Sequence, residues 1–109
     1  MMDPELEELK KEFLADAEAR VGQIENELRS DGAFDPKAVE RMLFIAHQLK
    51  GAGGSYGFRE ISQEAAELER LLESGQSGNW SDQESAVRSR IGSLRREVES
   101  QQHDLSMTG

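Results

Sequence analysis

Apolar residues recur every three or four positions in four separate segments of this 109-residue chain, and this spacing constrains the fold more than any other feature. Residues three and four apart share one face of an α-helix, so each segment predicts an amphipathic helix. None of the segments has the strict alternation of a half-buried strand. Because no single helix can bury its apolar stripe alone, the pattern predicts an all-α protein, an antiparallel up-down-up-down four-helix bundle.

Prolines and glycines mark the ends of the first two helices. Each of the two prolines follows an aspartate, the order expected of an N-cap and a first helical residue, so helices should begin at Pro4 and Pro36. The first helix would end near Ser30. The second would end within residues 53–57, where glycines cluster and break the pattern.

The third and fourth helices are marked by a glycine and by a capping sequence. The third is predicted over residues 58–73, with Gly75 as a C-terminal glycine. Residues 81–84, Ser-Asp-Gln-Glu, have the form of a capping box and predict the start of the fourth helix. The apolar pattern fades after about residue 100. A polar tail that frays is therefore expected at residues 101–109.

Length and composition restrict the kinds of function. Residues 1–109 are expected to form one domain, with the helical bundle at about residues 4–100. The chain is too short to contain both a catalytic domain and a regulatory domain. The net charge of −9 repels phosphate backbones and anionic lipids, so neither nucleic acid nor a membrane is an expected partner.

The same composition favours a cytoplasmic protein. There is no cysteine for a disulfide or a thiolate metal site. No apolar run approaches the roughly 20 residues that span a bilayer, and the first residues lack the features of a signal peptide. A monomer is expected because the four apolar stripes can cover one another.

Residues 46–51, Ala-His-Gln-Leu-Lys-Gly, place a histidine outside the apolar stripe of the second helix. His47 should lie at the edge of the solvent face. Gly51 and Gly54 follow it on the same side, although a glycine inside a helix costs about 1 kcal/mol relative to alanine. We therefore expect them to leave room for another molecule. Phe44, one turn before His47, adds an exposed apolar ring that suits a docking surface.

An exposed histidine of this kind can carry a phosphoryl group. Free imidazole has a pKa of about 6.5, so near pH 7 it is mostly neutral and nucleophilic. Its phosphoryl group can then pass to a carboxylate of a second protein. Lys50 could place its ammonium near the phosphoryl oxygens, although it could equally be an ordinary surface lysine.

Other chemistries lack the residues they need. There is no phosphate-binding glycine loop of the Walker type, so the chain is not expected to use ATP. His103 is isolated from His47 in sequence, and no metal-binding spacing occurs, so no metal or cofactor is expected. No serine or cysteine nucleophile has a recognisable partner base. A carrier is therefore expected, and not an enzyme.

The run Ala46-His47-x-Leu49-Lys50-Gly51, followed by Gly57, resembles the signature of histidine-containing phosphotransfer (HPt) domains. The resemblance covers about residues 5–98. It implies that the histidine is phosphorylated on Nε2 and that Lys50 steadies the phosphoryl charge. It also implies that Gly51 keeps the ring clear and that Gly57 sets the turn into the third helix.

The same resemblance implies the partners of the chain. A histidine kinase and the receiver domains of response regulators would exchange phosphoryl groups with it in a phosphorelay, and the receiver would bring the aspartate and the Mg²⁺. Receivers would dock over one surface made of five residues: Phe44, His47, Lys50, Gly51 and Gly54.

Three alternatives to a free-standing carrier stay open. The chain could be the amino-terminal phosphorylated domain of a chemotaxis-type histidine kinase, which residues 54–58 also resemble. It could be an adaptor bundle whose acidic faces bind another protein and whose histidine is incidental. It could also dock on receivers without being phosphorylated, although the intact run from His47 to Gly51 weighs against this.

Overall fold

The computed structural model describes residues 4–108, which form four α-helices joined by short connections. In chain order they are α1 (Pro4–Arg29), α2 (Pro36–Ser55), α3 (Arg59–Ser77) and α4 (Trp80–Thr108). No strand occurs among these residues. The prediction of an all-α protein is confirmed.

Each helix packs against two others and contributes to one apolar core. The contacts join α1 to α2, α2 to α3, α3 to α4 and α4 back to α1. Side chains at helical spacing from all four helices are almost completely buried; those under 2% exposed include Leu14, Ile24, Met42, Leu49, Ile61, Leu68, Leu72, Leu94 and Val98. The four apolar stripes thus cover one another as a four-helix bundle, because each helix can bury only one face.

Hydrogen bonds between side chains of α1 and α4 show how these two helices are aligned along each other. Glu25 of α1 accepts two hydrogen bonds from Arg95 of α4, and Glu18, earlier in α1, accepts one from Gln102, later in α4. A residue later in α1 therefore contacts a residue earlier in α4, and the reverse. A glycine near the end of α2, Gly53, likewise lies against the start of α3.

The first two helix starts agree with the proline positions. Helices α1 and α2 begin at Pro4 and Pro36. Asp35 occupies the N-cap position of α2, as predicted, although its carboxylate makes no capping hydrogen bond to any described residue. Asp3, the other expected cap, lies outside the described residues.

The turn between α2 and α3 is built on Gly57. Its φ of +81° lies in the left-handed region, where a side chain would be strained. The Phe58 amide donates to the carbonyl of Gly53 at 2.8 Å and the Gly57 amide donates to Gly54 at 3.2 Å. These two bonds define a Schellman motif. The motif ends α2 at Ser55, within the predicted interval, and explains the glycine at position 57.

The predicted end of α3 at Gly75 is wrong. The helix continues to Ser77, and Gly75 is a buried residue within it. A Cβ built at Gly75 would lie 2.2 Å from the ring of Trp80, which also stacks on Phe34 with centroids 4.7 Å apart. The glycine is required because an aromatic ring packs directly on the helix backbone.

The start and end of α4 also differ from the sequence prediction. The helix begins at Trp80, and the side chain of Asn79 accepts a hydrogen bond from the Ser81 amide at 2.9 Å, so Asn79 performs the capping role predicted for the 81–84 box. The predicted polar tail is helical to Thr108. Its Gln102 bonds to Glu18, and Leu105 packs against the core, so α1 holds this segment in place.

The amino-terminal part of α1 is more exposed than its apolar spacing suggested. Leu6 and Leu9 stand at helical spacing before the buried residues of α1, but they are 40% and 44% exposed. Burial in α1 begins at Phe13, whose ring lies 5.5 Å from those of Tyr56 and Phe58 at the α2–α3 turn. Within residues 4–108, no helix combines the length and apolar character needed to cross a membrane.

Candidate functional site

The solvent-facing strip of α2 carries the predicted site residues as the sequence indicated. His47 and Phe44 are exposed, with 68% of the His47 side chain and 61% of Phe44 accessible. Leu49 and Ala46, beside the histidine in sequence, are buried in the core. The helix therefore fixes His47 through its buried neighbours while the imidazole itself remains accessible.

Gly51 and Gly54 add no side chain to this strip of α2. A Cβ added at Gly51 would meet no described atom within 4 Å, and one added at Gly54 would make only ordinary contact with Ser62 Oγ at 3.6 Å. Packing within the chain thus does not require either glycine. Gly53 is different, since its Cβ would come within 3.2 Å of the Ser62 amide nitrogen. Gly53 allows α3 to approach α2 closely.

The close approach of α3 brings a third polar residue to the site. Glu69 places Oε2 3.0 Å from Nδ1 of His47 and Oε1 2.7 Å from Nζ of Lys50. Its side chain is only 18% exposed, compared with 38% for Lys50. One carboxylate on α3 therefore joins the two residues that the sequence had singled out on α2.

Glu69 was missed because nothing near His47 in sequence indicates it. It lies on another helix, and its pairing depends on the register in which α2 and α3 pack. One signal could have found it: Glu69 lies about as far after the Gly57 turn as His47 lies before it. Residues at such positions face each other in an antiparallel helical hairpin.

The electrostatics of the site keep Glu69 ionised. The hydrogen bond from Lys50 lowers the pKa of Glu69, partial burial opposes this, and the bond to His47 lowers it further. An ionised carboxylate can only accept hydrogen bonds, so Nδ1 of His47 carries the proton in this contact. In a neutral imidazole the other nitrogen then holds the free lone pair. The contact with Glu69 therefore leaves the Nε2 lone pair of a neutral His47 ring available to another molecule.

This lowered pKa predicts how stability depends on pH. As the pH falls below the ordinary pKa of glutamate, Glu69 binds a proton in the unfolded chain while it is still ionised in the folded chain. The free energy of unfolding therefore decreases until the pH has passed the lowered pKa of Glu69 in the folded chain. At neutral pH we expect the unfolding free energy of the Glu69→Gln variant to be about 1 kcal/mol lower than that of wild type. The expected difference is no larger because the ion pairs of Glu69 are partly solvated. Denaturant titrations at decreasing pH should show this difference shrinking once the pH falls below 4.5, the ordinary pKa of glutamate; a constant difference would contradict the assignment.

Gly57 does not belong to the site itself. It lies two residues beyond the end of α2 and ten residues after His47 in the sequence. Its predicted role in the turn agrees with the positive φ and the Schellman motif described above. Residues 4–108 contain no cluster of three or more metal-ligating side chains.

The described residues thus form a four-helix bundle with an exposed histidine on α2 that contacts a carboxylate of α3. The family model of the Hpt domain matches residues 8–104, nearly the whole chain. The chain belongs to the Hpt domain family. Members of that family take part in histidine phosphotransfer in two-component signalling, with kinases and response regulators as partners. Searches of curated proteins and of solved structures gave no significant match.

Proposed function

We propose that this protein is a phosphocarrier in which His47 accepts a phosphoryl group from one two-component protein and donates it to another. The observation that supports this best is the hydrogen bond between His47 Nδ1 and the Glu69 carboxylate, with Nε2 left on an exposed ring. A receiver domain would supply the aspartate and the Mg²⁺. The chain would supply a positioned nucleophile and a surface, and would not bind ATP.

The transfer step forms one bond, from Nε2 to phosphorus, and breaks one bond, from phosphorus to the donor. The Nε2 lone pair attacks phosphorus in line, the bond between phosphorus and the aspartyl oxygen of the receiver breaks, and that carboxylate leaves. Nδ1 keeps its proton, so the phosphorylated ring gains a positive charge beside the Glu69 carboxylate. A fixed negative charge 3.0 Å from Nδ1 stabilises the charge that develops as the bond forms. Glu69 is therefore a positioning residue.

Lys50 would serve the phosphoryl oxygens. In the unphosphorylated chain its ammonium bonds Glu69 at 2.7 Å, and the same side chain is 38% exposed at the edge of the site. Its four-carbon stem can turn the ammonium outward. A dianionic phosphoryl group on Nε2 would attract it more strongly than a carboxylate that also bonds an imidazolium.

The test of this function is transfer in both directions. The purified chain is incubated with an autophosphorylating histidine kinase and ATP, and separately with a panel of phosphorylated receiver domains. The carrier predicts acid-labile label on the chain and its return to a fresh receiver. Binding to these proteins without label would favour an adaptor or a non-phosphorylated docking bundle.

The role of Glu69 gives a prediction for the transfer rate. Glu69→Gln keeps the shape of the side chain but removes the charge that orients His47 and balances the phosphorylated ring. We expect the initial rate of labelling from a fixed donor to fall about 10- to 100-fold, as when a carboxylate that orients a ligand histidine is removed. Glu67→Gln, on the same helix and paired with Arg70, is the matched control and should keep its rate. Equal rates for both variants would exclude the positioning role.

Gly51 gives a prediction in which stability and function change in opposite directions. Because a Cβ at position 51 meets open space, Gly51→Ala should raise the unfolding free energy by up to about 1 kcal/mol through helix propensity. The added methyl group lies beside the histidine, so transfer to a receiver should slow about tenfold, the effect of an interface clash of 1–2 kcal/mol. Gly92→Ala on α4 should change stability alone. A Gly51→Ala chain with unchanged transfer would show that partners do not approach there.

A further inference from the structure

The side chain of Ser62, in the first turn of α3, reaches the backbone of α2 at Lys50. Its hydroxyl donates a hydrogen bond to the Lys50 carbonyl oxygen at 2.8 Å, in a partly buried position. Lys50 lies inside α2, where a carbonyl normally accepts the amide of the residue four positions later. A carbonyl oxygen has two lone pairs, so it can accept both bonds. The bond from Ser62 is therefore not needed by α2 itself, and it ties α3 to α2.

Ser62 also lies against two glycines of α2. A Cβ built at Gly53 would come within 3.2 Å of the Ser62 amide nitrogen, and one at Gly54 would lie 3.6 Å from the Ser62 hydroxyl oxygen. The same amide donates to the carbonyl of Phe58 at 3.0 Å. The backbone of Ser62 is thus held by its own helix and lies directly on α2, with the hydroxyl aimed at the Lys50 carbonyl.

Ser62 and Glu69 act on α2 from the same face of α3. They are seven residues apart, about two helical turns, so their side chains point in nearly the same direction. Lys50 therefore contacts α3 twice, through its carbonyl with Ser62 and through its ammonium with Glu69 at 2.7 Å. A slip of one residue between the helices would move a contact by about 1.5 Å and turn it by about 100°. The two contacts together fix the register in which α3 packs on α2.

We propose that Ser62 is a positioning residue for phosphoryl transfer at His47, because its hydroxyl fixes the register that keeps the Glu69 carboxylate on Nδ1. The contact between Glu69 and Nδ1 is 3.0 Å long and joins different helices, so it depends on that register. A misplacement of about 1 Å at a reacting group can slow a reaction considerably. The effect on transfer rests on the proposed function, whereas the effect on the His47 ring can be measured in the unphosphorylated chain.

The first measurement is the tautomer of His47 in the full chain, read from the ring nitrogen shifts and their proton couplings by NMR. Spectra are recorded at about pH 8.5, two units above the ordinary pKa of imidazole. A carboxylate bonded to one ring nitrogen fixes the tautomer, so wild type should carry its proton on Nδ1. In Ser62→Ala the ring shifts should move toward those of Glu69→Ala, which lacks the carboxylate. Ring shifts identical to wild type would overturn the proposal.

Ser77→Ala is the matched control for this measurement. The Ser77 hydroxyl also donates to a backbone carbonyl, that of Glu73 at 3.0 Å, but both residues belong to α3. The two substitutions therefore remove the same atoms and the same type of bond from one helix, and only Ser62→Ala removes a link to α2. Ser77→Ala should leave the His47 ring shifts as they are in wild type. A change as large as that of Ser62→Ala would show that register is not the cause.

The second measurement is the rate at which His47 is labelled from a saturating phosphorylated donor. Ser62→Ala should reduce this rate about three- to tenfold, the size expected when one hydrogen bond is lost. In a Glu69→Ala background the same substitution should cause no further loss, because the contact through which Ser62 acts is already absent. Equal slowing in both backgrounds would assign Ser62 a general structural role and overturn the proposal.

The two measurements separate this inference from the carrier function. If wild type takes no label from any donor, the carrier function fails, and the ring shifts still decide whether Ser62 positions His47. If wild type is labelled and Ser62→Ala behaves like Ser77→Ala in both measurements, the carrier function stands and the role of Ser62 is excluded.

Discussion

Replacing His47 with glutamine is expected to reduce phosphoryl acceptance to background while the bundle stays folded. Glutamine cannot form the nitrogen–phosphorus bond, and residues 4–108 place no second imidazole at this site. Because 68% of the His47 side chain is exposed, unfolding free energy should change by only about 0.5–1 kcal/mol. Acid-labile label from a kinase or a phosphorylated receiver measures the first effect, and thermal unfolding measures the second.

The control for this prediction is the other histidine of the chain. His103 is exposed on α4, well beyond the α2 strip, so His103→Gln should take up label like wild type. Together the two variants distinguish an oriented histidine from any exposed one. Label that persists on His47→Gln, or that is lost on His103→Gln, would place the phosphoryl group elsewhere.

Truncating Leu68 to alanine is expected to produce the largest loss of stability. Leu68 is completely buried in the core beside the helix turn that carries Glu69. Removing a fully buried leucine side chain typically costs about 2–5 kcal/mol, through lost apolar burial and the cavity that remains. For a domain of this size that is a large part of the total stability, about 5–15 kcal/mol. Denaturant unfolding of the purified variant measures it.

Leu9→Ala provides the matched control, because it removes the same atoms from a side chain that is 44% exposed. Its unfolding free energy should change by no more than about 0.5 kcal/mol. Below its own unfolding transition, Leu68→Ala should still accept phosphate at His47, since the truncation removes no polar contact of the site. Equal losses for the two leucines would contradict the assignment of the core.

Local signals in the sequence were sufficient for much of this architecture. Pro4 and Pro36 mark helix starts because proline suits the first helical position, and Gly57 marks a turn because it adopts a positive φ. The exposure of His47 and Phe44 followed from the helical period alone. These features depend on a residue and its nearest neighbours.

Features that depend on packing between helices could not be predicted from local signals in the sequence. Glu69 reaches His47 only because Gly53 lets α3 approach α2, and Gly75 is a core contact for Trp80 instead of a helix terminus. Residues after 100 stay helical because Gln102 and Leu105 contact α1 and the core. In each case the contact joins residues that are far apart in the sequence. Composition and periodicity do not indicate which distant residues will lie close together in the fold.

The most direct test of the central claim is to locate the phosphoryl group on the labelled chain. Wild type is phosphorylated by a receiver or kinase, and phosphorus–proton NMR correlations assign the bonded atom. The contact of Glu69 with Nδ1 predicts one phosphoryl group on Nε2 of His47. A group on Nδ1, on His103 or on a carboxylate would contradict the account.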